Sequence, residues 1–155
     1  MGIHERFDTE LHLSAPYDPD ATISKLRDHF PHLEVKSRCR FRLAPSLIPV
    51  IQAHAKETTI RYSRDAVEYP TTCDLPAYAD PSGNDEDLFH IGSFKIVKVK
   101  YKVFGALDDE DANRDGFKNI HELKSALCQF YGEIADSEVV TIFSIRLEDG
   151  SSKTY

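Results

Sequence analysis

Lys56-Glu57-Thr58-Thr59-Ile60-Arg61 decides how this chain is read, because it closes a short helix and opens a strand. Upstream, Pro45 suits a first helical position and Leu47, Ile48, Val50 and Ile51 form an apolar face, so a helix is expected over Pro45 to His54. Pro49 requires it to be short or bent. Downstream, alternation predicts a strand over Thr58 to Ser63, with Ile60 on the core side and Thr59 and Arg61 together on the other. Lys56 stands on the corner, where alternation leaves its direction open, within reach of the Thr59 side. A lysine, a hydroxyl and an arginine this close can supply a general base, a nucleophile and an anion clamp. The same residues also make an ordinary strand with solvated charges.

Working outward, residues Met1 to Ala15 form a weakly specified arm containing Phe7, Leu11 and Leu13. Asp18-Pro19 then caps a helix carrying Ile23, Leu26 and Phe30, which Pro31 stops. A strand follows over Glu34 to Leu43. Beyond the central stretch, Pro70, Pro76, Pro81, Gly83 and Asn84 dissolve any pattern from Arg64 to Asp87, and a long loop is expected there. Tyr69 and Tyr78 in that loop can stack on a base or simply pack on the surface. Leu88 to Ile91 and Phe94 to Phe104 read as strands joined near Gly92. Asn119 and Glu122 form a capping box for a helix bearing Ile120, Leu123, Leu127 and Phe130, with Gly132 as its stop. Val139 to Leu147 supplies a last strand, and Glu148 to Tyr155 reads as a frayed end. Five or six strands and three or four helices, without a regular βαβ repeat, imply an α+β chain with a small curved sheet or barrel flanked by helices.

At 155 residues the chain fits one domain, large enough to bury a core without disulfides or metal. Cys39, Cys73 and Cys128 are an odd number without a CxxC pair, so a reducing, cytoplasmic or nuclear setting is expected and no zinc site is implied. No segment has the run of about 20 apolar residues that a membrane helix needs. Net charge is −7, which by itself argues against nucleic acid, but its distribution is uneven. Residues 1–35 carry 3 basic and 7 acidic side chains, residues 36–105 carry 11 and 8, and residues 106–155 carry 5 and 11. In the net-positive middle, Lys36, Arg38, Arg40 and Arg42 alternate with Cys39, Phe41 and Leu43, and Lys98, Lys100 and Lys102 with Val97, Val99, Tyr101 and Val103. Two such basic strand faces can track a phosphate backbone, although lysines also protect sheet edges from aggregation.

Leu107 to Phe117 (LDDEDANRDGF) holds a second decision. Asp111, Asn113, Asp115, Gly116 and Glu122 match the spacing of a calcium-binding EF-hand loop. Its context argues otherwise. A strand rather than a helix precedes it, Lys118 replaces the usual apolar residue, and Glu122 is committed to the cap. Gly116 and Phe117 have a simpler structural reading, in which Gly116 ends a short helix from Asp109 and Phe117 plugs the core.

The order of a basic strand, short helix, lysine–threonine–arginine corner, turn-rich stretch, long strand, L-x-x-x-D-A-x-x-D-G-F segment and amphipathic helix resembles the ASCH domain, a branch of the PUA-like superfamily. The residues carrying it are Arg42, Ile51, Lys56, Thr58, Thr59, Arg61, Ile91, Gly92, Leu107, Asp111, Ala112, Asp115, Gly116, Phe117, Glu122 and Leu123. The resemblance implies a PUA-like mixed β-barrel over residues 35–147, with residues 64–87 as a loop insertion, and residues 1–34 as an arm and helix packed on the domain. It further implies a basic cleft, no cofactor, and RNA or a modified nucleoside as ligand. Arg61, Arg42, Arg40, Lys98 and Lys100 are the expected binding residues. Within that family the small bacterial N4-acetylcytidine amidohydrolases are most similar around the corner. Their lysine base falls on Lys56, their threonine nucleophile on Thr59, and their glutamate acid on Asp115, one methylene shorter. A ribonuclease using the same cleft is a further expectation.

Overall fold

The computed structural model describes residues 9–148, so Phe7 and the expected frayed end after Glu148 lie outside the described residues. The strands are β1 (Thr9–His12), β2 (Glu34–Arg38), β3 (Phe41–Leu43), β4 (Thr58–Arg61), β5 (Ala66–Pro70), β6 (Asp74–Ala79), β7 (Phe89–Val103) and β8 (Val139–Glu148). The helices are α1 (Pro19–His29), α2 (Ile48–Gln52), α3 (Asp109–Arg114) and α4 (Ile120–Tyr131). A curled half-barrel sheet runs β3-β6-β7-β8-β4, and β1 joins the β7 edge beyond β6. Strands β2 and β5 form a separate parallel pair. The architecture is α+β, as expected.

Three helix ends follow directly from local chemistry. The Asp18 carboxylate accepts hydrogen bonds from the Asp20 and Ala21 amides, so α1 begins where the sequence places its cap. Asn119 caps α4 by accepting from the Glu122 amide. The Glu122 carboxylate does not close the expected box, because it accepts from the Lys118 amide one residue earlier. Gly132 ends α4 at φ +86, a conformation that costs glycine little.

Four expectations are corrected. The strand over Glu34 to Leu43 breaks at Cys39 and Arg40, sending β2 to β5 and β3 to β6. The stretch Arg64 to Asp87 is not a bare loop, since it contains β5 and β6, and β6 sits inside the main sheet. Pro76 is tolerated there because β3 pairs only with Ala77 to Ala79 and starts just past it. The two strands expected around Gly92 are one continuous strand, β7, whose register shifts between Ile96 and Lys98. Phe130 is 77% exposed, because the last turn of α4 instead presents Tyr131 to the Tyr62 ring, 5.7 Å away.

Two apolar clusters face β4 and β8 from opposite sides. One holds Leu26, Phe30, Phe41, Phe94, Tyr101 and Phe143, joining the sheet interior to α1. The other packs Ile60, Val140 and Ile142 against Ala112, Leu123 and Leu127 of α3 and α4. Strand β4 is therefore covered on both faces. Among the described residues no helix is long and apolar enough to cross a membrane.

Candidate functional site

Two helix ends set the positions of Lys56 and Asp115. At the end of α2, the Ala55 amide donates to the Val50 carbonyl and the His54 amide to the Ile51 carbonyl, with His54 at φ +60. At the end of α3, the Phe117 amide donates to Ala112 and the Gly116 amide to Asn113, with Gly116 at φ +94. Each is a Schellman turn, which reverses the chain within two residues of the helix. The first turn throws Lys56 toward α3, and the second leaves Asp115 facing it. It is this left-handed backbone that calls for glycine at 116, since a β-carbon there would meet Lys56 Cβ only at an ordinary contact distance of 3.5 Å. The structural reading of Gly116 and Phe117 therefore holds, and Phe117 packs against the α4 cluster.

The Lys56 Nζ lies 3.0 Å from Asp115 Oδ2 and also donates to the Asp115 carbonyl at 3.2 Å. Both side chains are 6% exposed. Burial pushes the Lys56 ammonium below the ordinary lysine range, against the opposing pull of the Asp115 carboxylate, and the charge of Arg61 lowers it further. Burial likewise pushes the Asp115 carboxyl up, more than its cationic and hydroxyl neighbours pull it down. Both directions weaken the charged forms, as expected when an ion pair leaves water.

The hydroxyl on this pair belongs to Thr58, which donates to Asp115 Oδ1 at 2.9 Å. Thr59, expected there, turns to the other face of β4. It is 3% exposed, and its Oγ1 accepts from Arg61 Nε at 3.1 Å. Thr59 and Arg61 thus share a face, as alternation requires, but that face looks into the barrel interior. The guanidinium of Arg61 lies over the Phe41 ring at 5.2 Å and donates to the Arg42 carbonyl at 3.3 Å. Burial lowers its proton affinity. Thr58 is the residue that carried no assigned role in the sequence. The signal was strand alternation itself, which separates adjacent threonines onto opposite faces.

The remaining binding candidates divide into two groups. Arg42 is fastened to the acidic turn after β6, with Nε 3.1 Å from Asp80, one terminal nitrogen 2.7 Å from Asp85, and the other donating to the Gly83 carbonyl. Arg40 reaches Asp85 at 3.7 Å and stands over the Tyr78 ring at 6.0 Å. Lys98 and Lys100 lie elsewhere. Their registry with Ser144 and Ile142 puts them on the Thr58 face of the sheet, lining a groove with Arg114. The two basic runs consequently do not form one cleft. Lys98 is itself 3.4 Å from Glu10.

The calcium-loop spacing dissolves in three dimensions. Asp111 closes a capping box with Asp108 and pairs with Lys102 at 2.7 Å, Asn113 donates to the Phe117 and Lys118 carbonyls, and Asp115 is held by Lys56 and Thr58. These side chains are spread around a helix rather than gathered around an ion. Among the described residues, no three His, Cys, Asp or Glu side chains are grouped as metal ligands.

A crystal structure of an ASCH domain from Lactobacillus crispatus JV V101 superposes on 83% of this chain and 90% of its own, with TM-score 0.50 and 11% identity. The chain has an ASCH-domain fold. A DUF984 protein from Enterococcus faecalis V583 aligns over 84% of this chain and 92% of its own, with TM-score 0.45 and 11% identity. No protein-family model matches the sequence, and no curated protein sequence matches it. In this ASCH-domain fold the lysine–threonine–arginine corner joins α2 to β4 and meets the end of α3, where the Glu57 amide donates to the Arg114 carbonyl and Lys56 pairs with Asp115.

Proposed function

We propose that this chain binds RNA or a modified nucleoside, with Arg61 receiving an oxygen anion or carbonyl of the ligand beside the Lys56–Asp115 pair. Arg61 is the observation that carries the reading. Among the described residues Arg38 and Arg42 are each paired with carboxylates, Arg38 through two hydrogen bonds to Glu68. Arg61 has a threonine hydroxyl, a backbone carbonyl and an aromatic face, but no carboxylate partner among those residues. Counted with Lys56 and Asp115, the cluster carries one excess positive charge away from bulk water. Such an excess disfavours folding and favours an anionic guest. A phosphate would also compete with Asp80 and Asp85 for Arg42, whose carbonyl holds Arg61. This draws Arg40 and Arg42 into the same binding face, while Lys98 and Lys100 would meet only a ligand long enough to wrap around the sheet.

The test is the anisotropy of a short fluorescent single-stranded RNA titrated with wild type and Arg61→Gln at several salt concentrations. Arg61→Gln should weaken binding by about tenfold or more and flatten the salt dependence, with unchanged circular dichroism. Equal affinity in the folded variant would remove the reading.

A second reading, hydrolysis of N4-acetylcytidine, is favoured by the opposite displacement of two proton affinities. Lys56 is displaced downward and Asp115 upward, the directions that a base and an acid need near neutral pH. The resemblance assigns the nucleophile to Thr59, whereas contact with Asp115 favours Thr58. Chromatography of cytidine released by wild type, Thr58→Ala and Thr59→Ala separates these cases. Loss only in Thr59→Ala supports the resemblance, and loss only in Thr58→Ala moves the nucleophile by one residue. No release by wild type ends the reading, and shortening of the RNA in the same incubations would point to ribonuclease chemistry.

A further inference from the structure

At the other end of β4, beyond Arg61, the chain encloses a second space. A cavity of about 330 Å³ lies between the C-terminal end of α1, the residues joining β4 to β5, and the start of β8. Its size falls in the range of small-molecule pockets. The walls are partly apolar and aromatic, from Phe30, Leu33 and Tyr62, and partly acidic, from Asp65 and Glu138. Six residues of strand separate it from Lys56, or roughly 20 Å of extended chain, so it is not a lobe of the Lys56 site.

The polar groups of this cavity are arranged to receive hydrogen-bond donors. The Tyr62 hydroxyl donates to Glu138 Oε1 in a very short contact, and the other Glu138 oxygen accepts from the Ala135 amide. These donors hold the Glu138 carboxyl below the usual glutamate range, so it is ionised at neutral pH. Arg64 lies 3.6 Å from Glu138 and offsets part of that charge. Asp65 sits at φ +60 directly after Arg64, and its carboxylate has no partner among the described residues. His29, on the opposite wall, is kept neutral by burial, and its Nε2 is buried without a hydrogen-bond partner among the described residues. Two carboxylates, the His29 and His32 imidazoles and aromatic walls share one cavity without a lysine or arginine on its lining.

We infer that this cavity binds a small planar nitrogen heterocycle, which lies against Tyr62 and Phe30 and donates N–H groups to Asp65 and Glu138. Acidic lining excludes phosphates and carboxylates, and the limited volume excludes a folded peptide. A nucleobase-sized ring with an exocyclic amine meets both conditions. The site is independent of Arg61 and of any ligand bound there.

Calorimetric titration of the full chain with adenine, benzamidine and benzoate tests it, with Asp65→Asn and Ser137→Trp as variants. Asparagine tolerates the positive φ of residue 65 and keeps its shape while removing the charge. Ser137 is an exposed residue of the cavity wall, where a tryptophan fills the opening without entering the core. Adenine and benzamidine should bind with millimolar or tighter dissociation constants, and benzoate should not bind. Asp65→Asn should weaken benzamidine by about tenfold, and Ser137→Trp should abolish both interactions while leaving RNA affinity unchanged. Benzoate binding as tightly as benzamidine, full binding by both variants, or no heat from either nitrogenous ring would each overturn the inference.

Discussion

The two ends of β4 solve one problem in opposite ways. At Lys56 a carboxylate is buried against an ammonium, and a second cation stands nearby. At Tyr62 a carboxylate is held by a neutral phenol at the edge of a cavity. The first end gathers full charges where water is excluded, so each charge depends on its partner for tolerance. The second keeps its carboxylate partly solvated and its partner uncharged, so either member can be lost at smaller cost. The difference teaches where to look for function: charge that the fold does not need at one end, and empty space bordered by acceptors without partners at the other.

The sharpest break of this comparison comes from Asp115→Ala, which leaves the Lys56 ammonium buried without its counter-ion. Stability to urea should fall by about 3–5 kcal/mol. Replacing both partners, Lys56→Met with Asp115→Leu, should recover most of that loss. A single substitution costing under about 1 kcal/mol would mean that water already reaches the pair.

At the other end Tyr62→Phe should cost about 1–2 kcal/mol, because Glu138 retains Arg64 and the Ala135 amide. The pH dependence sharpens the contrast. Burial, with help from Glu138, raises the Tyr62 hydroxyl to about 12 from its ordinary 10.0. The folded state therefore holds this proton more tightly than the unfolded chain. Its contribution is complete below pH 10 and is lost as pH rises toward 12, so urea midpoints should fall across that interval in wild type and less in Tyr62→Phe. Glu138, held below its ordinary value of 4.5, contributes above that pH and loses its contribution as pH falls through its folded value. A wild-type midpoint that did not change between pH 10 and 12 would remove the Tyr62–Glu138 pair from the comparison.

The smallest expected effect lies in the turn that aims Lys56. His54 occupies a left-handed conformation that disfavours a β-carbon, so His54→Gly should raise stability by about 0.5–1 kcal/mol in thermal unfolding. A loss instead would show that the imidazole makes a contact that outweighs the backbone strain.

Much of this arrangement was legible from residues alone. The Asp18 and Asn119 caps, the Gly116 turn and the final strand all follow from local rules, whereas Lys56 and Asp115 were brought together only by the resemblance. What was not legible depended on partners distant in sequence. Strand β6 contains Pro76 and became a strand only because β7 pairs along it and β3 pairs with its last three residues. The basic alternation of Arg38, Arg40 and Arg42 looked like a face for phosphate, yet Glu68, Asp80 and Asp85 arrive from later in the chain and occupy much of it. Thr58 and Thr59 were distinguishable by alternation, but which face the Asp115 carboxylate would meet was fixed by the angle at which α3 ends.

Strand β1 has a practical consequence for handling the protein. Residues Thr9 to His12 hydrogen-bond along β7 opposite Lys98 to Tyr101, and Leu11 is seated in the interior. Trimming the polypeptide past residue 12 would uncover a length of β7 backbone as well as a hydrophobic gap. Molecules shortened in this way should associate edge to edge and precipitate, so expression vectors ought to retain this segment and place purification tags ahead of it.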